Sequence, residues 1–349
     1  MGRKVLSIWL AVLLLLTGCS QQNTAGESTA TVTPTEEPAA VSVDWSEEKV
    51  YSAPVENEEY FFYAAKKGIV RIDKKTGERK KIVSKGEIEF ICLAEDGLYY
   101  SDGFYLYSCG FSGENAKEIF YSREIKGVDE QYIELWDMQI HEGKTYFLIA
   151  GLEMVQIDIE SKTAEQIGWD VRSGCFWGDS FYYRRRSSEE IYKVNLETKK
   201  EEVVRDQHIR KDEREGKDVK VVYDAVFTFQ DNLYYTCHLQ NSEENYDYRT
   251  YRYSKEGDDE CVMEVALVNP LSGQEDALYE TFWEEDKDYL YRYDIEKGTQ
   301  SKMPLPEDFF DAVSILDNTL FYRAEDPEDD EDELPYYKTL PLNFDVSEK

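Results

Sequence analysis

The chain has 349 residues, with 73 Asp and Glu against 40 Lys and Arg, so its formal net charge is -33. Such a charge repels phosphate backbones and anionic lipid surfaces, and nucleic acid is therefore excluded as a partner. The six cysteines include no Cys-x-x-Cys pair and no Cys/His spacing typical of a metal site, so we expect no metal and no cofactor.

The chain begins with a short basic start and an apolar run over residues 5–16, which is too short to span a bilayer as a mature helix. The run ends in Leu-Thr-Gly-Cys at 16–19. This segment resembles the lipobox of bacterial lipoproteins. The resemblance implies cleavage before Cys19, diacylation of Cys19 through a thioether, and export to the extracytoplasmic face of the cell membrane. The alternative is an ordinary secretory signal peptide in which the cysteine is incidental.

Residues 1–18 are thus predicted to be a lipoprotein signal peptide, and residues 19–42 the lipidated cysteine with a disordered linker. The linker is rich in Ser, Thr, Ala, Pro, Gln and Glu and nearly free of large apolar side chains, so it cannot bury enough surface to fold. As a flexible tether it would span roughly 25–30 Å. Residues 43–349 are predicted to form the folded domain, which contacts the membrane only through the lipid anchor.

A short aromatic segment recurs seven times in residues 43–349, and each occurrence is followed by a second apolar stretch that ends in a polar turn. The aromatic segments are residues 61–63, 98–100, 145–147, 181–183, 233–235, 277–282 and 320–322. Asp73 and Pro341 are matched points of the first and last of the second stretches, and the six steps between them cover 268 residues, an average of about 45, near the period of a four-stranded propeller blade. The sequence therefore predicts an all-β fold, a β-propeller of seven four-stranded blades, with six or eight blades as alternatives.

Apolar segments before most of the aromatic ones predict the innermost strand of each blade. They are residues 90–94, 135–140, 225–229, 265–269 and 312–316. Their near-continuous apolar character is typical of strands buried on both faces. The paired Tyr and Phe of the second strands are predicted to fill the wedges between blades, with the tyrosine hydroxyls reaching water.

Residues Tyr99, Tyr100, Ser101 and Asp102, with the later stretch GFSGENAKEI at 110–119, resemble the YWTD repeat of receptor-type and bacterial propellers. The whole domain resembles the YWTD/TolB-like propeller lipoproteins of bacteria, whose function is unknown. The YWTD families have six blades, whereas seven repeats are present here. No ligand-contact motif of those receptors matches this chain, so the resemblance implies no binding residues.

Catalytic patterns are absent from the sequence. The three histidines, His141, His208 and His238, have no partner at the spacing of a catalytic triad or a metal site, and each is predicted to be a surface residue. No nucleophile elbow, zinc-protease helix or phosphate loop occurs. Propeller glycosidases use carboxylates at the central channel, and the many Asp and Glu here neither supply nor exclude such a pair. We therefore predict a non-enzymatic protein without catalytic residues.

Five cysteines remain besides Cys19, an odd number, so at least one is expected to be free or paired with another molecule. They are Cys92, Cys109, Cys175, Cys237 and Cys261. Cys92 lies in the apolar run FICLA and is predicted to pack as a small hydrophobic residue.

Strand parity predicts that the long segments of the domain share one face of the propeller, where function usually resides. These segments are residues 122–134, 206–222, 238–249 and 324–334. Residues 325–333 carry eight carboxylates in nine positions and form either a solvated loop or a site for a cation or basic partner. Residues 45–53 are predicted to close the ring by pairing near the C-terminus.

These features together predict a membrane-anchored, extracytoplasmic binding or protein-interaction module. Its ligand would be an unidentified protein, peptide or glycan. The alternatives are a glycan-active hydrolase or lyase on a propeller scaffold and an accessory scaffold of an envelope complex.

Overall fold

The structure, a computed structural model, describes residues 43–344 apart from 46–48, 129–132, 207, 212–217, 241–245, 258, 266, 268–270, 273–276, 285 and 325–336. Its strands form seven separate antiparallel sheets in chain order. The first strands of several neighbouring sheets lie close together, such as those at Phe90–Leu93 and Leu135–His141. The fold is therefore a seven-bladed β-propeller, as the sequence predicts. The signal peptide, Cys19, the linker and the acidic segment 325–333 lie outside the described residues.

Each blade is numbered in chain order, and its strands run from the inner to the outer edge. Blade 1 consists of β1 (Val55–Glu56), β2 (Tyr60–Ala65), β3 (Gly68–Asp73) and β4 (Arg79–Val83), and blade 2 of β5 (Phe90–Leu93), β6 (Leu98–Ser101), β7 (Tyr105–Cys109) and β8 (Lys117–Tyr121). Blade 3 consists of β9 (Leu135–His141), β10 (Lys144–Ile149), β11 (Glu153–Asp158) and β12 (Thr163–Gly168). Blade 4 consists of β13 (Val171–Trp177), β14 (Ser180–Arg185), β15 (Ile191–Asn195) and β16 (Glu201–Arg205).

Blade 5 consists of β18 (Asp218–Phe229), β19 (Asn232–Gln240), β20 (Tyr246–Arg252) and β21 (Glu260–Met263) as its first to fourth strands, with an extra strand β17 (His208–Lys211) that pairs with the start of β18. Blade 6 consists of β22 (Leu271–Ser272), β23 (Leu278–Glu284), β24 (Lys287–Asp294) and β25 (Thr299–Pro304). Blade 7 consists of β26 (Phe309–Leu316), β27 (Thr319–Ala324) and β28 (Lys338–Pro341). A single 3-10 turn, Ser122–Glu124, is present in the described part of the connection between blades 2 and 3. Within the described residues, no helix is long and apolar enough to cross a membrane.

The seven aromatic segments coincide with the second strands of the seven blades, as predicted. These strands carry much of the burial. All six residues of β14 are buried, and so are the four central residues of β2. A second strand has strand neighbours at both edges and a blade on each side, so aromatic side chains of both faces meet apolar surroundings.

The first strands differ from the prediction, which was wrong in expecting burial on both faces. Trp136, Asp137 and Ile140 in β9 are exposed, and residues 312–314 in β26 are only half-buried. A first strand borders the central channel and has a strand neighbour at one edge only, so part of its surface faces open water. The apolar sequences of the first strands therefore do not mean that these strands are completely buried.

The first strands of blades 1, 4 and 6 were not identified from the sequence. Blade 6 begins with β22 and not with residues 265–269, whose described positions form no strand. In blade 4 the first strand, β13, contains Gly174, where an added Cβ would lie 2.5 Å from Cζ of Phe181. Because β13 has a glycine where the Phe181 ring packs, and because it borders the channel, its sequence contains few consecutive apolar residues by which it could be predicted as a buried strand.

Seven apolar clusters, one at each interface between neighbouring blades, hold the described ring together. Some of the tyrosine hydroxyls in these clusters bind carboxylates, whereas the sequence predicted contact with water. Tyr183 donates to Oε2 of Glu201 at 2.5 Å, and Tyr235 donates to Oδ2 of Asp259 at 2.6 Å. A buried phenol needs an acceptor, and the acidic composition provides one.

The N-terminal segment closes the ring between blades 7 and 1, as predicted. Tyr337 donates its N–H to the carbonyl of Val50 at 2.7 Å, in the position of a fourth strand beside β28. Trp45 is only 2% exposed and lies edge-on to Phe321 of blade 7, with ring centroids 5.0 Å apart. It also contacts Phe61 of blade 1.

Blade 5 departs from the four-stranded plan. Segments 206–222 and 238–249 were expected to be long loops, but their described residues mostly extend strands β18, β19 and β20 or form the extra strand β17. The alternating residues Val219 and Val221 pack into the cluster between blades 4 and 5. That burial explains why this part of the chain is strand.

Candidate functional site

The two faces of the propeller have different connections. We call the face that carries the blade-to-blade connections and the turns between second and third strands the connection face; residues 102–104 and 169–170 belong to it. The opposite, hairpin face carries the turns between first and second strands. Those turns are short, as predicted, and the one at residues 230–231 has both φ angles positive, the geometry of a tight hairpin.

Exposed apolar side chains are concentrated on the connection face. Nine large apolar side chains of the described chain are well exposed. Strand direction places seven of them on the connection face, namely Phe104, Trp136, Trp169, Ile209, Tyr248, Trp283 and Phe310. Only Ile140, near the hairpin face, and Val203, on an outer strand, lie elsewhere. A bias of exposed apolar side chains toward one face is typical of a protein that uses that face for interaction.

A cavity of about 740 Å³ opens at the channel on the connection face, and we call it the channel cavity. Its walls come from the first strands β5 and β9, the start of blade 1 and the ends of strands in blade 7. Trp136, which is 43% exposed, contributes a ring to this wall, and Arg323 and Tyr337 lie on the side of blade 7. The size is within the range of cavities that bind small molecules.

Two carboxyl groups with raised pKa values line the channel cavity. Asp137 is open to channel water but closely surrounded by protein, and this desolvation raises its pKa, although its Oδ1 accepts a hydrogen bond from N–H of Met138 at 2.8 Å. Desolvation and the neighbouring charge of Glu134 raise the pKa of Glu89. Carboxyl groups of raised pKa in a cleft are candidates for ligand binding or proton transfer.

A second cavity, of about 610 Å³, lies between blades 3 and 4 on the channel side, and we call it the arginine cavity. Arg172 and Arg186 line it, as do Gln139 and Ser173. Asp137 borders both cavities. Exposed basic groups at a cavity are a notable feature in a chain of formal charge -33.

The histidines have structural partners that the sequence did not reveal. His141 lies at the hairpin face, where its Nε2 is 2.8 Å from the carbonyl oxygen of Gly178. His238 lies in the extended part of blade 5, and its Nδ1 is 2.7 Å from Oδ2 of Asp224. The pair was missed because Asp224 sits at a register shift between β18 and β19, which sequence spacing does not show. The side chain of His208 lies outside the described residues.

The structure brings no metal-binding set together in its described part, where no group of three or more His, Cys, Asp or Glu could hold an ion. In the described part of the chain, none of the five cysteines besides Cys19 forms a disulfide. Burial and the charge of Asp137 raise the pKa of Cys92 to about 11, and burial and the charge of Glu114 raise that of Cys109 to about 11. Both thiols are thus protonated at neutral pH and unreactive. Cys92 is half-buried against the cluster between blades 2 and 3, as its apolar sequence context predicts.

Comparison with known proteins identifies the fold but no family. No protein-family profile matches the chain, and no curated protein does so. Among solved structures, it is similar to an oligogalacturonate lyase in complex with manganese, with a TM-score of 0.56 and 11% identity over 81% of this chain and 85% of the other. It is also similar to the oligogalacturonate lyase of Vibrio parahaemolyticus, with a TM-score of 0.57 and 11% identity over 84% of this chain and 89% of the other. Similarity at this identity indicates a shared fold.

Proposed function

We propose that this protein is a lipid-anchored β-propeller that binds a protein, peptide or glycan outside the cell through its connection face. The observation that carries the proposal is the concentration of seven of the nine exposed large apolar side chains on that face. The same face carries the mouth of the channel cavity. A rigid ring that presents apolar and aromatic groups beside a cavity fits a binding module.

The strongest individual contributions are expected from aromatic groups that project from opposite sides of the ring. Trp136 borders the channel cavity, and Trp283 of blade 6 is 69% exposed. Tryptophan is enriched among residues that dominate binding energy, because it buries a large surface at little conformational cost. Neither side chain is part of the apolar core between the blades, since both are open to solvent.

Replacing Trp136 and Trp283 together by serine is expected to weaken ligand retention by about tenfold or more, since residues of this type can contribute about 2 kcal/mol each. The measurement is retention of the soluble domain on glycan and peptide arrays, with equilibrium titration of the best ligand. The matched control replaces Ile140 and Val203, the two exposed residues away from the connection face, by serine. Equal retention by the two double variants would contradict the assignment of the face.

A glycan-active hydrolase or lyase is the second candidate, and the channel cavity favours it. Its wall combines an exposed indole, Trp136, with Glu89 and Asp137, whose pKa values are raised. The oligogalacturonate lyases that share the fold act on an acidic glycan, which is weak support at 11% identity. Product analysis on the retained glycans separates the two functions, because cleavage that is lost in Asp137→Asn would establish an enzyme. An accessory scaffold would instead bind proteins alone.

Anchoring through Cys19 is part of the proposal and rests on the Leu-Thr-Gly-Cys motif at 16–19. Two acyl chains hold a soluble domain at a bilayer, at about 0.8 kcal/mol per buried methylene. We also propose, from residues 98–119, that the domain is of the YWTD/TolB-like kind. In its support, Asp102 accepts hydrogen bonds from N–H of Phe104 and Tyr105 and so shapes the turn after the second strand of blade 2.

Replacing Cys19 by serine is expected to leave the protein unlipidated, because a hydroxyl cannot form the thioether on which processing depends. The mutant should move from the detergent phase to the aqueous phase in a phase-partition experiment on whole cells. Cys92→Ser is the matched control, since that thiol lies inside the propeller. A Cys19→Ser protein that still partitions into detergent would refute lipid anchoring at this residue.

A further inference from the structure

The turn after the second strand of blade 2, residues 102–104, is fixed to the start of blade 3. N–H of Leu135, at the start of β9, donates to the carbonyl of Gly103 at 2.7 Å. Just before the turn, the carbonyl of Ser101 accepts the N–H of Glu89 at 2.8 Å. The turn and the starts of two first strands are therefore held together by backbone hydrogen bonds on the connection face.

Two exposed rings lie beside these hydrogen bonds. Phe104 directly follows Gly103 and is 42% exposed, and Trp136 directly follows Leu135 and is 43% exposed. Trp136 lines the channel cavity, and Phe104 lines a further cavity of about 590 Å³, which we call the Phe104 cavity. Glu87 borders both cavities, so the two adjoin. Blades 2 and 3 thus present two exposed rings and two hollows next to each other.

Two carboxylate side chains converge on the same turn. A Cβ added to Gly103 would lie 3.5 Å from Cγ of Glu89 and 3.7 Å from Cγ of Glu134. Burial raises the pKa of Glu89, and three neighbouring carboxylates, of which Glu134 has the largest effect, raise it further. Within the described part of the chain, neither Glu89 nor Glu134 forms an ion pair. These like charges therefore repel each other without compensation.

Basic side chains border the two cavities but do not compensate this negative charge. They are Lys66, Lys67 and Arg323. None of them is among the charges that shift the pKa of Glu89. The boundary between blades 2 and 3 therefore keeps a local excess of negative charge beside its two exposed rings.

We infer that this boundary, which we call the acidic–aromatic surface (Glu89, Phe104, Glu134 and Trp136), docks a protein segment that presents a Lys or Arg side chain next to an apolar one. The cation pairs with Glu89 and Glu134, and the apolar side chain covers the exposed rings. Lys and Arg suit both features, because their aliphatic stems pack on rings while their charged ends bind carboxylates. Charge complementarity of this kind selects a basic partner and rejects an acidic one.

The inference names the partner class for the connection face and rests on the function proposed above. It also has a consequence for the free protein. Carboxylates that repel each other lower its stability, so neutralising Glu89 and Glu134 should leave the unfolding temperature unchanged or raise it. Carboxylates that were kept to hold the fold together would give the opposite result.

The test is retention of residues 20–349, which include the whole described propeller, on an array of random 12-residue peptides. The best retained peptide and its analogue with Gln in place of every Lys and Arg are then titrated by calorimetry. The double variant Glu89→Gln/Glu134→Gln is compared with Glu95→Gln/Asp96→Asn, an exposed pair on the hairpin face with the same change in charge. We expect retained peptides to carry Lys or Arg beside an apolar residue. Affinity should fall about tenfold or more in the first variant and for the analogue, and about twofold or less in the control.

Each other outcome overturns the inference in a defined way. Retained peptides without Lys and Arg would refute the partner class. Equal losses of affinity in the two double variants would mean that the overall acidity of the chain attracts the peptide and that the acidic–aromatic surface does not. A lower unfolding temperature of Glu89→Gln/Glu134→Gln would assign these carboxylates a structural role.

Failure of this inference and failure of the proposed function are distinguishable. If glycans, or neutral or acidic peptides, are retained and are lost on replacing Trp136 and Trp283, only the partner class is wrong. If neither peptides nor glycans are retained, the proposed function is wrong as well.

Discussion

Deleting residues 43–54 is expected to lower the melting temperature of the propeller by about 10 °C or more, because the deletion opens the ring. The segment supplies Trp45 to the core between blades 7 and 1. It also supplies the carbonyl of Val50, which accepts the N–H of Tyr337 beside β28. Without it, blade 7 keeps only three strands in the described structure, and the outer edge of β28 is left unpaired.

Most of this loss is expected to come from a single side chain. Trp45 contacts the rings of Phe61, Tyr63 and Phe321, at centroid distances of 5.7, 5.7 and 5.0 Å. Truncating a large buried aromatic side chain to alanine costs about 3–5 kcal/mol. Trp45→Ala should therefore account for a large part of the effect of the deletion.

Differential scanning calorimetry of the two variants provides the measurement. The matched control is deletion of residues 20–42, which the sequence predicts to be a tether outside the folded domain and which should leave the melting temperature unchanged. A melting temperature of the 43–54 deletion that equals that of the control would show that the ring is closed in some other way.

Replacing Asp259 by asparagine is expected to reduce the free energy of unfolding by about 3–5 kcal/mol, because it leaves a buried cation unpaired. Oδ1 and Oδ2 of Asp259 accept hydrogen bonds from Nη2 and Nε of Arg205 at 2.6 and 2.7 Å. Oδ2 also accepts the hydroxyl of Tyr235 at 2.6 Å. Both charged side chains are largely buried, with 10% and 17% exposure, and the contact joins blade 4 to blade 5.

The contribution of Asp259 also has a defined pH dependence. Burial by itself would raise its pKa, but hydrogen bonds from Arg205 and Tyr235 lower it overall. A carboxyl group whose pKa is lowered in the folded state stabilises that state fully above its unfolded pKa of about 3.9 and loses this effect as the pH falls through the lower folded value. The difference between wild type and Asp259→Asn should thus be constant at neutral pH and shrink below about pH 4.

Urea denaturation at pH 7 and at pH 3 measures both effects. Glu260→Gln is the control at the adjacent position, because Glu260 pairs with Arg252 at 3.3 Å while 66% of its side chain is exposed. Exposed ion pairs contribute about 0–1 kcal/mol to the free energy of unfolding, so Glu260→Gln should change the stability of the protein very little. An equal decrease in the free energy of unfolding in the two variants would mean that the buried pair between blades 4 and 5 contributes no more to stability than the exposed pair.

The repeat, and therefore the class of fold, could be predicted from the amino-acid sequence. Segments such as residues 98–100 and 320–322 occupy equivalent second strands, where large rings are needed at every blade interface. Because that requirement repeats with each blade, it leaves a periodic pattern that can be read without coordinates. The ring closure by residues near Trp45 could also be predicted, since blade 7 is too short to supply all its own strands.

The burial of individual strands and the positions of the candidate sites could not be predicted from the sequence, because they depend on how the blades are arranged in space. Trp136 and Asp137 belong to an apolar strand, yet they face the channel, because the ring leaves an open space at its axis. Arg184 lies in a strand with several aromatic residues, and nothing in its neighbours along the chain shows that its Nε and Nη1 atoms are buried without a hydrogen-bond partner in the described structure. Burial and charge compensation depend on residues brought together from different blades, and a local pattern contains no information about such contacts.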